Sequence, residues 1–213
     1  MKFYGYFRSS AAYRCRIAFN LKGVAPELQS VRLRKGEQRS VAYLARNPQG
    51  LVPALETGGR LLTQSLAIIE WLEETHPAPP LLPRDPLDRA HVRALALSVA
   101  CDIHPLQNLR VLSHLKSELA QDQAGLDRWC RHWIESGLAA YEETLKNAAT
   151  SGAFSFGDAP GLADIYLAPQ MFSAARFGAN VGGLVNLQRI MRSCEAHPAF
   201  AAAHPSKQPD AEA

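Results

Sequence analysis

Between His76 and Pro86 the chain carries five prolines in eleven residues. A proline has no N–H to donate and biases the residue before it away from helix, so neither a helix nor a paired strand runs through such a stretch. The two sides must fold as separate pieces, and their patterns differ. Up to about residue 80, apolar runs of strand length alternate with helical ones. Beyond residue 87 every apolar pattern has helical spacing. The expected organisation is an α/β domain over 1–80 and an all-α domain over 87–205, with a proline-rich linker between them.

The first domain reads β-α-β-α-β-β-α. Lys2 to Tyr6 is a short strand. Ser9 or Ser10 caps a helix that runs to about Leu21, where Gly23 stops it. Glu27 to Leu33 is a second strand, and a helix follows from about Gln38 to Ala45. Leu51 to Leu55 and Arg60 to Thr63 are two more strands, joined by a turn at Gly58-Gly59. Leu66 to Glu74 is the last helix, opened by Gln64 and Ser65. Pro53 cannot donate to a sheet ladder, so it marks an edge strand or a cis peptide. The surrounding strand order favours cis, as in thioredoxin-like folds. In the second domain, Val92, Leu95, Val99, Ile103 and Leu106 place one helix. Trp129, Trp133, Leu138, Tyr141 and Leu145 place another. Leu162 to Phe177 and Leu187 to His197 are two more. The tail from Pro205 to Ala213 is polar and expected to fray.

Bulk properties exclude several classes. The net charge of +3 over 213 residues is small and scattered, which disfavours nucleic acid. No apolar run approaches the ~18 residues of a membrane span. The opening Met-Lys-Phe-Tyr-Gly carries no signal-peptide core, so the expected location is the cytoplasm. Cys15, Cys101, Cys130 and Cys194 form no Cys-x-x-Cys pair and no zinc-ligand spacing, so reduced structural thiols and no metal are expected.

In a thioredoxin-like domain the reactive group sits at the start of the first helix. Here that place holds Ser9-Ser10-Ala11-Ala12, and dithiol redox chemistry is not available. A serine hydroxyl at a helix N-terminus can donate to an anion that the helix dipole also favours. If that anion is the thiolate of a bound thiol, its pKa falls and it becomes nucleophilic at neutral pH. The plainer alternative is that both serines only cap the helix. Gln64-Ser65 opens a second helix and can hold a carboxylate. Val52, before Pro53, can offer backbone groups to a peptide. One small peptide carrying a thiol and carboxylates suits all three, and glutathione fits that description.

Arg8-Ser9-Ser10-Ala11-Ala12-Tyr13-Arg14-Cys15-Arg16-Ile17-Ala18 resembles the Ser-Ser-Cys motif region of the zeta-class glutathione transferases. Asn47-Pro48, Val52-Pro53, Gln64-Ser65, Ile68 to Leu72, Cys101 to Asn108 and Ala163-Asp164 match the same class. The resemblance runs from Met1 to about Phe200. Within the class the chain is most similar to the bacterial maleylpyruvate isomerases and next to the maleylacetoacetate isomerases. Cys101-Asp102-Ile103-His104-Pro105, Phe154 to Asp158 and Arg176 carry that preference. The resemblance implies a glutathione transferase fold and a cytoplasmic homodimer. It implies glutathione as cofactor and a small dicarboxylate substrate. The reaction would be cis–trans isomerisation of maleylpyruvate to fumarylpyruvate in aromatic (gentisate) degradation: the glutathione thiolate adds to the conjugated double bond, the bond rotates, and the thiol leaves. Ser9 and Ser10 would activate the thiol. Gln49, Val52, Gln64, Ser65, Asp102, His104 and Asn108 would hold glutathione. Arg8, Arg110 and Arg176 would pair with the dianionic substrate and its developing enolate. His104 and Asn108, four apart, would share a helix face that Pro105 kinks, with His104 a ligand contact or an acid/base.

The chain departs from the class pattern at Ala11, which stands where the class has cysteine, and this disfavours chemistry needing a protein thiol. Leu51 stands where many members have glutamine, and Gly161 where a Ser/Thr cap is usual. Tyr4 and Tyr6 are rival thiol activators or simply packing residues. Two other readings remain: a general transferase conjugating electrophiles, with an apolar site indifferent to the arginines, and a non-catalytic module that reuses the fold.

Overall fold

The computed structural model describes residues 1–148 and 150–211. These fall into two compact units, Met1–Pro80 with Ala196–Ala213, and Leu81–Glu195. The first of these segments ends at Pro80, within the proline-rich stretch. Residues 196–205, expected within the helical domain, group instead with the first unit.

In the first unit, strand Lys2–Gly5 (β1) leads to helix Ser10–Leu21 (α1) and strand Glu27–Ser30 (β2). Two 3-10 turns and the short helix Val41–Leu44 (α2) precede strands Ala54–Thr57 (β3) and Arg60–Thr63 (β4), and helix Ser65–Thr75 (α3) follows. The sheet order is β2-β1-β3-β4, with β1 parallel to β2 and antiparallel to β3, and β3 antiparallel to β4. The chain order of strands and helices is the one the apolar pattern predicts, and the sheet is thioredoxin-like. Gly58 and Gly59, at φ 55° and 73°, supply the left-handed pair that a tight hairpin needs. Phe3 meets Phe19 edge-on at 5.1 Å between the sheet and α1, and Ile17, Leu55, Ile68 and Leu72 are fully buried. Each such side chain contributes ~1.5–3 kcal/mol by leaving water.

Three expectations change here. β2 stops at Ser30, because 3-10 turns at Leu33–Lys35 and Glu37–Arg39 take over, hinged on Gly36 at φ 73°. The helix expected over 38–45 is only α2, capped by the Ser40 hydroxyl, and Pro48 biases Asn47 away from helix. The strand expected from Leu51 begins at Ala54, after a cis Val52-Pro53 peptide.

The tail does not fray over its described part. Helix Pro198–Ala203 lies along α1, where Asn20 Nδ2 donates to Ala199 O at 2.8 Å and Arg16 Nε to Ala203 O at 3.0 Å. A 3-10 turn, Pro205–Lys207, follows, and Asp210 binds back to Phe7 and Ser30. Residues 212 and 213 lie outside the described residues.

The second unit is helical, with helices Pro86–Leu97 (α4), Leu109–Ser117 (α5), Gln123–Lys146 (α6), Leu162–Phe177 (α7) and Val185–Ala196 (α8). The helix Pro198–Ala203 of the first unit is α9. Leu126, Cys130, Ile134, Leu138, Tyr141 and Leu145 form the buried stripe of α6 at three- and four-residue spacing. α7 is buried on nearly every face, its polar Asp164, Gln170 and Ser173 included, as its largely apolar sequence requires. Its N-terminus is held by Asp164, whose carboxylate accepts from Gly161 N at 2.9 Å and Ser155 N at 2.8 Å. Asp164 thus supplies the cap that Gly161 cannot. Burial raises its pKa, and the two amides partly oppose that.

The long helix expected through Leu106 is broken. α4 ends at Leu97 and widens into a π-helical segment, Ser98–Ile103, then a 3-10 turn, His104–Gln107. Pro105 offers no N–H, and in a continuing α-helix its ring would meet the Cys101 carbonyl, so the chain changes its winding there. Gly137 of α6 lets the segment come close, since a Cβ there would overlap the Ile103 side chain. Asn108 is extended, at φ −68° and ψ 144°, and caps α5. His104 and Asn108 therefore do not share a helix face, and Arg110 belongs to a separate helix.

Candidate active site

The first unit carries Arg8, Ser9, Ser10, Gln49, Val52, Gln64 and Ser65. Ser9 is the N-cap of α1, and its Oγ accepts from Ala12 N at 3.2 Å. A hydroxyl that accepts one bond keeps its own hydrogen to donate. No described residue accepts from the Ser9 hydroxyl. The cap and the thiol-activating role are therefore compatible, because capping fixes the oxygen and leaves the proton for a ligand. Ser9 and Ser10 are half-buried, at the positive end of a twelve-residue helix. Arg8, also half-buried, stacks over Phe7 with its guanidinium carbon 5.8 Å from the ring centre.

Gln64 sits at φ 70° and ψ 123°, a left-handed backbone rare for a residue with a side chain. Such a conformation persists only where surrounding structure enforces it, and it often marks a ligand contact. It presents the first turn of α3, and Gln64 Nε2 donates to Gln49 Oε1 at 3.0 Å. Ser65 begins α3 and is buried, and Arg14 Nη1 of α1 donates to its Oγ at 3.3 Å. The N-termini of α1 and α3 therefore belong to one hydrogen-bonded frame. Val52 is half-buried and lies outside the strand register, which starts at Ala54. The Leu51 carbonyl accepts from Tyr43 Oη at 2.7 Å and Asn47 Nδ2 at 2.8 Å, and Asn47 Oδ1 accepts from Gln49 N at 3.2 Å. Burial pushes the Tyr43 phenol up to about 12, so it stays a neutral donor.

Arg14, Asn47 and Tyr43 were not among the residues singled out from the sequence as site residues. Each acts through another side chain or the backbone. Their only signal was their place beside the Ser-Ser and Asn-Pro motifs. Tyr4 is not placed to activate a thiol: its hydroxyl donates to Glu56 at 2.9 Å, and burial with that bond raises its pKa. The Tyr6 ring is buried edge-on against Phe7 at 4.7 Å.

The second unit carries Asp102, His104, Asn108, Arg110 and Arg176. Asp102 is exposed on the π-helical segment. His104 opens the following 3-10 turn and is half-buried. That turn is tied down by Trp129 Nε1, which donates to Leu106 O at 2.7 Å, and by Gln107 Nε2, which donates to Gln170 Oε1 at 2.8 Å. Asn108 Oδ1 accepts from Arg110 N at 3.2 Å, a cap bond that commits its oxygen and leaves its amide N–H groups for a ligand. Arg110 is exposed in the first turn of α5. Arg176 is exposed in the last turn of α7, stacked over Phe177 at 4.6 Å.

Both arginines present guanidinium forks suited to carboxylates. The donor set of the first unit suits a peptide thiol: a hydroxyl hydrogen at one helix N-terminus, and a polar N-terminal turn at another for a carboxylate.

A family model for the glutathione S-transferase N-terminal domain matches residues 3–80. The maleylpyruvate isomerase of a Ralstonia species is 48% identical over 210 residues, covering 99% of each chain. A holo structure of maleyl pyruvate isomerase, a bacterial zeta-class glutathione S-transferase, superposes with a TM-score of 0.98 at 47% identity over 100% of both chains. The maleylacetoacetate isomerase of Methylobacterium extorquens AM1, with bound malonate and GSH, gives 0.97 at 43% identity, again over 100% of both.

Proposed function

The chain belongs to the zeta class of the glutathione S-transferase family, and from that premise we propose that it catalyses the glutathione-dependent cis–trans isomerisation of maleylpyruvate to fumarylpyruvate. Bound glutathione supplies a thiolate that adds reversibly to the conjugated double bond and lets it rotate. The observation that carries the reading is the Ser9 hydroxyl, fixed as an acceptor by Ala12 N and left with its hydrogen to donate. It donates to the thiol sulfur, beside the dipole of α1, and favours the thiolate. Ser10 adds a second hydroxyl in the same turn. Gln64 and Ser65 hold a carboxylate of the peptide at the start of α3. Val52 offers it main-chain groups, and Gln49 steadies Gln64. Asp102, His104 and Asn108 would be further contacts to the peptide. Arg8, Arg110 and Arg176 orient the dicarboxylate and stabilise the enolate that forms on addition.

This chemistry needs no protein thiol, and Ala11 is no obstacle to it. The reading places the enzyme in the cytoplasm, where glutathione is kept reduced. It makes the enzyme a homodimer, which size-exclusion chromatography checks. Maleylacetoacetate differs only beyond the double bond, and the M. extorquens relative bears that substrate in its name.

The deciding assay follows isomerisation of maleylpyruvate and of maleylacetoacetate by ultraviolet absorbance, with and without glutathione, for wild type and Arg176→Ala. Turnover should require glutathione and be faster on maleylpyruvate. In Arg176→Ala, kcat/KM should fall by about tenfold or more, the cost of a lost charge-assisted pair. Faster turnover of maleylacetoacetate moves the assignment to that substrate. No isomerisation, with conjugation of a neutral electrophile that ignores Arg176, leaves a general transferase.

A further inference from the structure

Two peptide bonds before the thiol site are held by charged side chains that the reaction does not use. The segment Tyr6 to Ser9 turns from β1 into α1, with Ser9 N donating to Tyr6 O at 3.0 Å. From one side the buried Arg16 guanidinium donates to Phe7 O at 2.9 Å and to Tyr6 O at 3.4 Å. From the other, Asp210 Oδ2 accepts from Phe7 N at 3.0 Å, and also from Ser30 Oγ at 3.0 Å. Arg16 further binds Ala203 O at 3.0 Å and lies over the Tyr13 ring at 5.2 Å, so each of its three nitrogens donates to a main-chain carbonyl. Asp210 faces that guanidinium closely enough to favour its charged form, against a burial that lowers the Arg16 pKa to about 10.

We propose that Asp210 and Arg16 are positioning residues for the proposed isomerisation: the C-terminal segment straps the Tyr6–Phe7 backbone so that the Ser9 hydroxyl meets the thiol of bound glutathione. The inference rests on the reading of Ser9 as thiol activator. Peptide groups held from opposite sides by opposite charges are fixed more firmly than by neutral bonds. A donor displaced by a fraction of an ångström no longer favours the thiolate fully. Nothing in the strap touches the carboxylate end of the peptide at Gln64 and Ser65. Its loss should therefore change thiol activation while sparing glutathione affinity.

The test compares Asp210→Ala and Asp210→Asn with wild type by three readouts. These are hydrogen exchange at the Phe7 amide, the pH titration of the bound glutathione thiol by its thiolate absorbance, and KM for glutathione against kcat. Asp210→Ala should speed Phe7 exchange about tenfold, raise the bound thiol's pKa by about one unit and lower kcat about tenfold, with KM for glutathione within about twofold. Asp210→Asn, which keeps a neutral acceptor, should lie between, at about a threefold loss. Should Asp210→Ala fail to fold, the Asn variant at wild-type Tm carries the same decision. Unchanged thiol titration and kcat in a folded variant overturn the strap, as does a fall in kcat without faster Phe7 exchange. If wild type binds glutathione but isomerises nothing, the substrate reading fails, and a shifted thiol titration in Asp210→Ala still supports the strap.

Discussion

The candidate residues of the first unit differ from those of the second in what stands behind them. Ser9 is held by Ala12, Ser65 by the buried Arg14, and the Leu51 carbonyl by Tyr43 and Asn47. Arg110 and Arg176 are exposed ends of long side chains, the first resting on a cap and the second on a neighbouring ring. Thiol activation needs a donor fixed to a fraction of an ångström, and only a dense set of bonds provides that. Carboxylate recognition by a charged fork tolerates more play and can be altered without disturbing a core. The geometry thus separates a firmly held part, to which the proposal gives thiol activation, from an exposed part, to which it gives recognition of the acid.

The sharpest break of that contrast is Ser9→Ala. It should lower kcat about 10²–10³-fold, the loss usual for one donor aimed at developing charge. It should also cost about 1 kcal/mol of stability through the lost cap. Ser9→Thr, which keeps both the cap and the hydroxyl, should recover most of each. A Ser9→Ala enzyme with near wild-type kcat and a lowered Tm would reduce Ser9 to a cap and move activation to Ser10.

Arg14 and Arg110 sharpen the comparison, being the same residue type in opposite settings. Arg14→Met leaves the buried Ser65 hydroxyl without its arginine. It should cost ~1.5–3 kcal/mol of stability and raise KM for glutathione about tenfold, the range for bonds to charged groups. Arg110→Ala should move stability by less than ~0.5 kcal/mol, as exposed substitutions do. Its effect should fall on KM for the dicarboxylate, with KM for glutathione unchanged. Chemical denaturation and steady-state kinetics on the two variants check this. Equal stability losses would erase the distinction between a supported and an exposed site.

The sequence made the first unit largely legible because its signals are local. Strand and helix runs, Gly58-Gly59, the prolines and the Ser-Ser cap each speak within a few residues, and α7 was readable from Leu162 to Phe177 because apolar residues dominate it. What was missed depends on partners far along the chain. Asp210 reaches Phe7 across 203 positions, and polarity alone marked that tail as loose. Arg14 reaches Ser65 across 51, and an arginine in an apolar helix gives no hint of which hydroxyl it will find. In the second unit Pro105 announced a kink, but not that the chain would widen into a π turn and restart at Asn108. That outcome depends on Gly137 and Ile103 packing across two helices, which no local spacing records.

The smallest expected effect tests the same division through its thiols. Cys15 lies inside α1, fully buried, and burial pushes its pKa from 9.0 up to about 12. Cys130 is pushed up to about 11, and Cys194 is raised too, again by burial first. Cys101 alone among the four is exposed, on the π-helical segment beside Asp102. Limited iodoacetamide near pH 8 should therefore label about one thiol per chain, since attack needs an accessible thiolate. Peptide mapping should place the label on Cys101. Glutathione should still bind, because Ser9 and Ser65 are untouched, with KM for glutathione within about threefold of wild type. The alkaline limb follows from the same burial. A buried thiol whose folded pKa is raised contributes full stability below about pH 9 and loses it as pH climbs toward about 12. Cys15→Ala should flatten part of that decline in Tm. Early labelling of Cys15 at pH 8 would mean that α1 opens readily, and the rigidity assigned to the thiol site would fail with it.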